Sequence, residues 1–212
     1  MAQPTSTLLI ACGALAREIT DLIEIHNWHH MAVQCLPAIL HNTPGDIPEG
    51  VRQKIRENKP TFEKILVVYG DCGTGGLLDT VLAEEGVERI AGPHCYEFYA
   101  GAEHFRALSE ADPGTFYLTD YLVRQFRQLV IEGLGLDRHP ELRDAYFGNY
   151  NKLIYLAQSE ELELRVRAKA AADQLGLAYE FQFTGMGGLI DFLANANEGD
   201  SPGGSHINRL LA

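Results

Sequence analysis

The sequence predicts an α/β fold, a mostly parallel, doubly wound sheet with helices on both faces, built as one unit or as two lobes around a cleft. Apolar runs of strand length alternate with stretches whose apolar residues recur at helical spacing. With 46% hydrophobic residues, a chain of 212 residues can bury one sizeable core. We therefore expect a single domain over residues 1–196 and a flexible tail over 197–212, where NEGDSPGGSH is rich in turn formers.

The first half of the chain alternates strands and helices. Continuous apolar runs are typical of buried parallel strands, and the predicted strands are TLLIACG (7–13), MAVQCLPAIL (31–40), KILVVYG (64–70) and VERIAG (87–92). Helical spacing and the stop signals Pro60 and Gly86 predict helices in ALAREITDLIEIHN (14–27), VRQKIRENKP (51–60) and LLDTVLAEEG (77–86).

The second half is more helical. A helix is predicted over 119–135, where Thr119 or Asp120 is a suitable N-cap, and another over 159–176, from Ser159 to Gly176. KLIYLA (152–157) is expected to return to the sheet and LAYEFQF (177–183) to form a strand, followed by the helix LIDFLANA (189–196).

Composition argues against several classes of partner. The 17 basic and 29 acidic residues give a net charge of -12, and no basic cluster with interleaved aromatics is present to bind phosphates, so we expect neither a nucleic-acid nor a membrane partner. No apolar run approaches the ~20 residues of a membrane span, and the start lacks a basic signal-peptide region. We expect a cytoplasmic protein, in which the four cysteines are thiols or metal ligands rather than disulfides.

Three cysteines and a histidine follow predicted strands directly. Cys12 ends the first strand, His41 follows the second, Cys72 follows the third and Cys95 lies beyond the fourth. The carboxyl ends of parallel strands meet at one edge of a sheet, so these side chains are expected to converge. Thiolates and imidazole are ligands of zinc, and an iron–sulfur cluster is the alternative. Cys35 lies inside the second predicted strand and is expected to be a core residue.

Glycines stand beside two of these cysteines. We predict cofactor-binding positions at Gly13, Gly73, Gly75 and Gly76, because glycine lets the backbone approach a ligand closely. CGTGG matches neither dinucleotide-binding nor P-loop spacing, which disfavours a nucleotide. The start of the helix after Gly76 is expected to favour an anion or to lower the pKa of Cys72.

A metal-free alternative is a Cys/His catalytic pair, with Cys72 or Cys95 as nucleophile. His41 is a better base than His94, because adjacent residues such as His94 and Cys95 rarely face each other. The possible pocket-lining aromatics are Tyr117, Tyr121, Tyr146 and Tyr150, and the carboxylates nearest the predicted site are Glu18, Asp71 and Glu97.

The stretches LLIACGALAREI, LHNTP, VVYGDCGTGG, GPHCYEFYAG and GTFYLTDYL resemble the motifs of a bacterial and archaeal family of unknown function, over roughly residues 6–195. Genes of that family often neighbour corrinoid proteins and methyltransferases of methylamine, betaine or methoxy-compound metabolism. The resemblance implies a role in one-carbon or methyl-transfer metabolism, with a small-molecule or corrinoid-linked methyltransferase partner. It assigns Cys12, Cys72 and Cys95 to recurring motifs and His41 to a short loop motif. FYLTDYL lacks the tryptophan that the resemblance leads us to expect near Tyr121. This difference from the family affects the expected lining of the pocket and not the cysteines.

The sequence is compatible with three functions. In the first, a thiolate-bound zinc or an iron–sulfur cluster binds a thiol, a methyl acceptor or a corrinoid-derived ligand as part of a methyl-transfer enzyme. In the second, an accessory protein delivers a metal or cofactor without catalysis. The third is a metal-free hydrolase or transferase that depends on the Cys/His pair.

Overall fold

The computed structural model describes residues 7–198, in which parallel strands form two separate sheets. The first sheet contains β1 (Thr7–Cys12), β2 (Met31–Leu36), β3 (Lys64–Val68) and β4 (Glu88–Arg89) in the order β2-β1-β3-β4. The second contains β5 (Thr115–Leu118), β6 (Lys152–Ala157) and β7 (Ala178–Phe183) in the order β5-β6-β7.

Helices connect the strands, as parallel pairing requires. They are α1 (Ala16–Ile25), α2 (Ile47–Asn58), α3 (Leu77–Glu85), α4 (Cys95–Ala100), α5 (Ala102–Ala111), α6 (Asp120–Arg124), α7 (Leu142–Phe147), α8 (Leu162–Leu175) and α9 (Gly187–Glu198). Short 3₁₀ turns occupy Gly13–Leu15, Ala38–Asn42 and Pro44–Asp46, and a π-helical turn occupies Arg127–Glu132. None of the helices between Thr7 and Glu198 is long and apolar enough to cross a membrane.

The central strand β1 explains why the first sheet is covered on both faces. Its residues alternate between the two faces, and both faces are apolar. Leu8 and Ile10 pack in one cluster with residues of α2 and α3, whereas Leu9 and Ala11 pack in another with residues of α1. All four side chains are fully buried. The strand is therefore buried between two layers of helices, because Leu8 to Ala11 are apolar on both faces.

The second sheet has its own core. Leu153 and Tyr155 on β6 pack with side chains of α6 and α8, while Ile154 and Leu156 pack on the opposite face with Phe105 of α5.

The last helix returns to the first sheet. Leu189 and Leu193 of α9 are fully buried in the cluster that also holds Leu9 of β1. The Lys64 ammonium of β3 donates a hydrogen bond to the carbonyl oxygen of Ala196 at 2.9 Å. The chain thus passes from the first sheet to the second and then back to the first.

The predicted α/β class with parallel strands and helices is confirmed, with the strands divided over two sheets. KLIYLA does not join the first sheet, because it pairs with β5 and β7. The predicted helix over 119–135 is interrupted after Arg124, and α8 starts at Leu162 rather than at Ser159. The Ser159 hydroxyl instead donates to Asp120 Oδ2 at 2.5 Å. Of the predicted tail over 197–212, the first two positions belong to α9 and residues 199–212 lie outside the described part of the chain.

Candidate functional site

A cavity of about 230 Å³ lies between the elements of the two sheets. One wall, which we call the thiol wall, comes from the carboxyl edge of the first sheet and α4, and includes Cys12, His41, Tyr69, Cys72, Cys95 and Tyr99. The other wall, which we call the aromatic wall, is formed by the stretch of chain between β5 and the loop after α7. It includes Phe116, Tyr121, Leu122, Val130, Phe147 and Tyr150. The residues lining the cavity include no Asp, Glu, Lys or Arg.

The thiol wall follows from the topology of the first sheet. Cys12 is the last residue of β1 and pairs in register with Leu36, the last residue of β2. The 3₁₀ turn after β2 carries His41, and the loop after β3 carries Cys72. Parallel pairing therefore brings all three residues to one edge of the sheet, as the sequence predicted.

Cys72 occupies an unusual backbone conformation. Its φ of 48° lies in the left-handed region, which costs a residue with a Cβ about 1–2 kcal/mol. Its N–H donates to the Pro93 carbonyl at 2.8 Å, and the Asp71 N–H donates to the Gly92 carbonyl at 3.2 Å. The loop after β3 is thus fixed against the loop that leads into α4, which places Cys72 beside Cys95.

The Asp71 carboxylate holds the glycine-rich turn together. It accepts hydrogen bonds from the Thr74 hydroxyl at 2.7 Å, the Gly76 N–H at 2.8 Å and the Gly75 N–H at 3.1 Å. These bonds, led by that from Thr74, lower the pKa of Asp71. With its lone pairs committed to the turn, Asp71 has a structural role rather than that of a general base.

The hydrogen-bond donors around Cys72 favour its thiolate form. The Cys95 thiol and then His41 lie within hydrogen-bonding reach, and together they lower the pKa of Cys72 to about 5. The same contact with Cys72, reinforced by burial, raises the pKa of Cys95. Both shifts favour a proton on Cys95 and a negative charge on Cys72. The expected influence of the start of α3 is not among the main causes, since that helix begins only at Leu77.

Cys12 is a neutral thiol on the same wall. Burial raises its pKa to about 11, although the Ala14 N–H and the adjacent Tyr69 hydroxyl partly oppose that shift. The charges of Cys72 and Cys35 raise it further. Cys12 is close enough to Cys72 to respond to its charge but does not share its proton.

The four predicted metal ligands Cys12, His41, Cys72 and Cys95 all line the cavity. Within the described part of the chain, no three His, Cys, Asp or Glu side chains are arranged so that they could hold a metal ion without moving. His94 is not part of the site. Its ring lies 6.1 Å from that of Tyr96 and 6.4 Å from that of Phe105, and the residue lines a different pocket.

The predicted cofactor-binding glycines Gly13, Gly73, Gly75 and Gly76 do not line the cavity. The last three have positive φ and form the turn that Asp71 holds. A Cβ on Gly13 would lie 3.0 Å from the Leu36 carbonyl oxygen, so this glycine permits close packing of two strand exits. Cys35 is half-buried, packs against the first-sheet core and is outside the cavity, so it lies at the edge of the core in which it was predicted.

The aromatic predictions are partly correct. Tyr121, Tyr146 and Tyr150 line the cavity, but the prediction for Tyr117 is wrong. Tyr117 packs on the opposite face of the second sheet, with its ring 5.0 Å from that of Phe105.

Three tyrosines of the thiol wall were not identified from the sequence, namely Tyr69, Tyr96 and Tyr99. Tyr69 directly follows β3, and Tyr96 and Tyr99 lie on α4. Tyr96 and Tyr99 are three residues apart in CYEFYA, a spacing that places two side chains on the same face of a helix. The spacing is hard to recognise in the sequence because α4 has only six residues.

Two tyrosines of the thiol wall, Tyr69 and Tyr99, have a buried hydroxyl with no hydrogen-bond partner in the described part of the chain, and so has Glu18 Oε2 of α1. Glu18 is 4% exposed, and burial together with the charge of Asp120 raises its pKa. Because buried polar groups are almost always paired, these atoms are positions at which a bound molecule would gain hydrogen bonds. The two tyrosine hydroxyls are the more relevant, since Tyr69 and Tyr99 line the cavity.

Residues 35–193 match the family described as protein of unknown function DUF1638. The chain belongs to this family. The matched segment of the DUF1638 domain contains His41, Cys72 and Cys95, whereas Cys12 precedes it. No curated protein and no solved structure matches the chain.

Proposed function

We propose that this DUF1638 protein binds a thiophilic metal ion through Cys12, Cys72, Cys95 and His41 and acts in one-carbon or methyl-transfer metabolism. The observation that carries the metal site is the position of Cys72, whose sulfur lies within reach of both Cys95 and His41 in a cavity that Cys12 also lines. Sulfur and imidazole donors suit zinc, and an iron–sulfur cluster is the alternative.

Metal binding at this wall involves loss of protons. Cys72 already favours the thiolate that a metal requires, whereas the pKa values of Cys12 and Cys95 are raised. A cation would displace the protons from these two thiols, so its affinity should rise with pH. The side chains must also move closer together, which fits a site that is completed only when the metal enters.

The cavity supports a small, weakly polar substrate. Three thiol ligands and His41 would form a closed structural site, whereas three ligands would leave a position for a substrate thiol or methyl acceptor. The aromatic wall faces that position with apolar and phenolic side chains. The methyl-transfer assignment and the corrinoid-linked partner, including a corrinoid-derived ligand, rest on the family resemblance. An accessory role in metal or cofactor delivery uses the same ligands without turnover.

Metal content tests the site directly. Protein purified without oxygen should contain zinc or iron by elemental analysis, and Cys72→Ser should remove most of it. Cys35→Ser is the matched control, because Cys35 packs against the core outside the cavity, and it should retain the metal. Wild-type metal content in Cys72→Ser, or equal loss in both variants, would contradict the proposal.

Growth tests the metabolic assignment separately. In an organism whose genome places this gene beside methyltransferase genes, deletion should impair growth on methylated amines, betaines or methoxylated compounds. Unchanged growth on all of them would remove the methyl-transfer assignment and leave the metal site standing.

The contact between Cys72 and His41 favours a second candidate, a metal-free transferase or hydrolase with Cys72 as nucleophile. In that case, active protein would be free of metal, and an alkylating probe would label Cys72 selectively and abolish activity. Activity that depends on added zinc or iron would exclude this candidate.

A further inference from the structure

Cys72 and Cys95 form a pair that the metal proposal does not fully explain. Their side chains lie within hydrogen-bonding reach of each other inside one cavity. The hydrogen bond between the Cys72 N–H and the Pro93 carbonyl, at 2.8 Å, holds the two loops together only two residues before Cys95. Both sulfurs are therefore positioned by the backbone as well as by side-chain contact.

We propose that Cys72 and Cys95 are a redox-active dithiol, which forms a reversible disulfide by exchange with a small disulfide that enters the cavity. This activity goes beyond metal binding, because it requires only the two sulfurs and an external disulfide. It assigns different roles to the two cysteines, with Cys72 as the attacking thiolate and Cys95 as the resolving thiol.

The exchange has two steps, and its atoms and electrons balance. The Cys72 thiolate attacks one sulfur of the external disulfide, forms a mixed disulfide and releases one external thiolate. Cys95 then gives its proton to that thiolate, and its sulfur attacks Cys72, releasing the second external thiolate, which takes a proton from solvent. Overall, the two cysteines are oxidised to one protein disulfide, and the external disulfide is reduced to two thiols.

The surroundings favour this pair over the other cysteines. The Cys95 thiol and His41 lie within hydrogen-bonding reach of the Cys72 sulfur, whereas the side-chain neighbour of the Cys12 sulfur is the Tyr69 hydroxyl. Cys35 is outside the cavity. His41, which also lines the cavity, is exposed, and its side chain lies within hydrogen-bonding reach of the Cys72 sulfur. One sulfur with two hydrogen-bond donors beside it, one of them a second thiol within reach, is the arrangement of redox-active cysteines.

The test is equilibration with a defined redox pair. The full-length protein, with and without prior treatment with a chelator, is incubated in mixtures of 2-hydroxyethyl disulfide and 2-mercaptoethanol. After acid quenching and alkylation of free thiols, mass spectrometry of acid-protease digests measures the linked peptides. A Cys72–Cys95 disulfide should increase with the ratio of disulfide to thiol and disappear on return to excess thiol.

Two variants assign the roles. Cys95→Ser should stop at a mixed disulfide on Cys72, since no resolving thiol remains, and Cys35→Ser should behave like the wild type. A wild-type protein that accumulates the mixed disulfide, links Cys95 to Cys12 instead, or stays reduced after chelation would overturn the proposal. Because metal content is measured on the reduced protein, a protein that binds zinc but forms no disulfide contradicts this inference alone.

Discussion

At the scale of single residues, the backbone of Cys72 is the most informative feature. A cysteine with φ of 48° has a conformational cost that glycine would avoid. The chain nevertheless places a thiol there, and neighbouring backbone hydrogen bonds fix its direction toward Cys95 and His41. Local strain maintained in this way is typical of functional positions.

The pKa of Cys72 gives a prediction for its reactivity. Because only the thiolate reacts with iodoacetamide, alkylation of Cys72 in chelated, reduced protein should reach half its maximal rate near pH 5. An ordinary thiol reaches this point near pH ~8.5. In His41→Phe the midpoint should move upward by about 1–3 pH units, because a neighbouring positive charge and donor is lost. The rates are measured by peptide mass spectrometry across pH.

Cys35 is the internal reference for this experiment. Burial raises its pKa, so its alkylation should begin only in alkaline solution, in the wild type and in His41→Phe alike. A Cys72 profile that coincides with that of Cys35, or one that His41→Phe leaves unchanged, would contradict the assigned thiolate.

At the scale of elements, the site depends on two loops that touch through a glycine. Gly70 precedes the glycine-rich turn, and a Cβ at this position would lie 3.0 Å from both Cα and N of His94. Backbone atoms cannot move aside as a flexible side chain can. The loop after β3 therefore approaches α4 closely only because residue 70 has no side chain.

Gly70→Ala should disturb both stability and the thiol pair. We expect a loss of about 1–3 kcal/mol in the free energy of unfolding, the usual cost of overpacking, and slower formation of the Cys72–Cys95 disulfide, because the loops are pushed apart. Urea unfolding and the redox equilibration measure the two effects. Gly45→Ala is the matched control, since nothing lies within 4 Å of its added Cβ. Equal behaviour of the two variants would show that the close approach is unimportant.

The sequence was sufficient to predict where the thiols meet but not what faces them. Strand exits in a parallel sheet share one edge, so Cys12, Cys72 and His41 could be brought together without coordinates. Phe116 and Tyr117 show the opposite case. They are adjacent in β5 and face opposite sides of the sheet, and both sides are apolar, so the pattern of hydrophobic residues does not tell which one points to the cavity.

The division into two sheets was also beyond the sequence pattern. β5 has four residues, too few for a clear signal, and without it β6 is expected to extend the first sheet. α4 and α7 have six residues each, fewer than two helical turns, so their apolar residues cannot repeat at helical spacing often enough to be recognised. The cavity residues that the sequence did not predict therefore lie mainly on short helices and strands.

At the scale of the whole molecule, α9 joins the end of the chain to its beginning. Its buried leucines complete the core beneath β1, although the preceding strand, β7, belongs to the second sheet. Loss of α9 would uncover one face of the first sheet. The two sheets are thus expected to unfold together rather than as separate units.

Leu193→Ala tests this coupling. Leu193 is fully buried, and its truncation should lower the free energy of unfolding by about 2–5 kcal/mol. Fluorescence of Trp28, which belongs to the first-sheet core, and far-ultraviolet circular dichroism should follow one shared, shifted transition. Asp191→Ala, at an exposed position of the same helix, should leave the transition nearly unchanged. Separate transitions in the wild type would show that α9 does not couple the sheets.

The separate origin of the two cavity walls has a consequence for divergence within the family. The cysteines of the thiol wall are placed by the exits of adjacent strands and by α4, so their position depends on the first sheet. The aromatic wall is carried by a different stretch of chain, from β5 to the loop after α7. Exchanges of rings and aliphatic side chains on that wall are therefore expected to reshape the cavity and to leave the cysteines of the thiol wall in place.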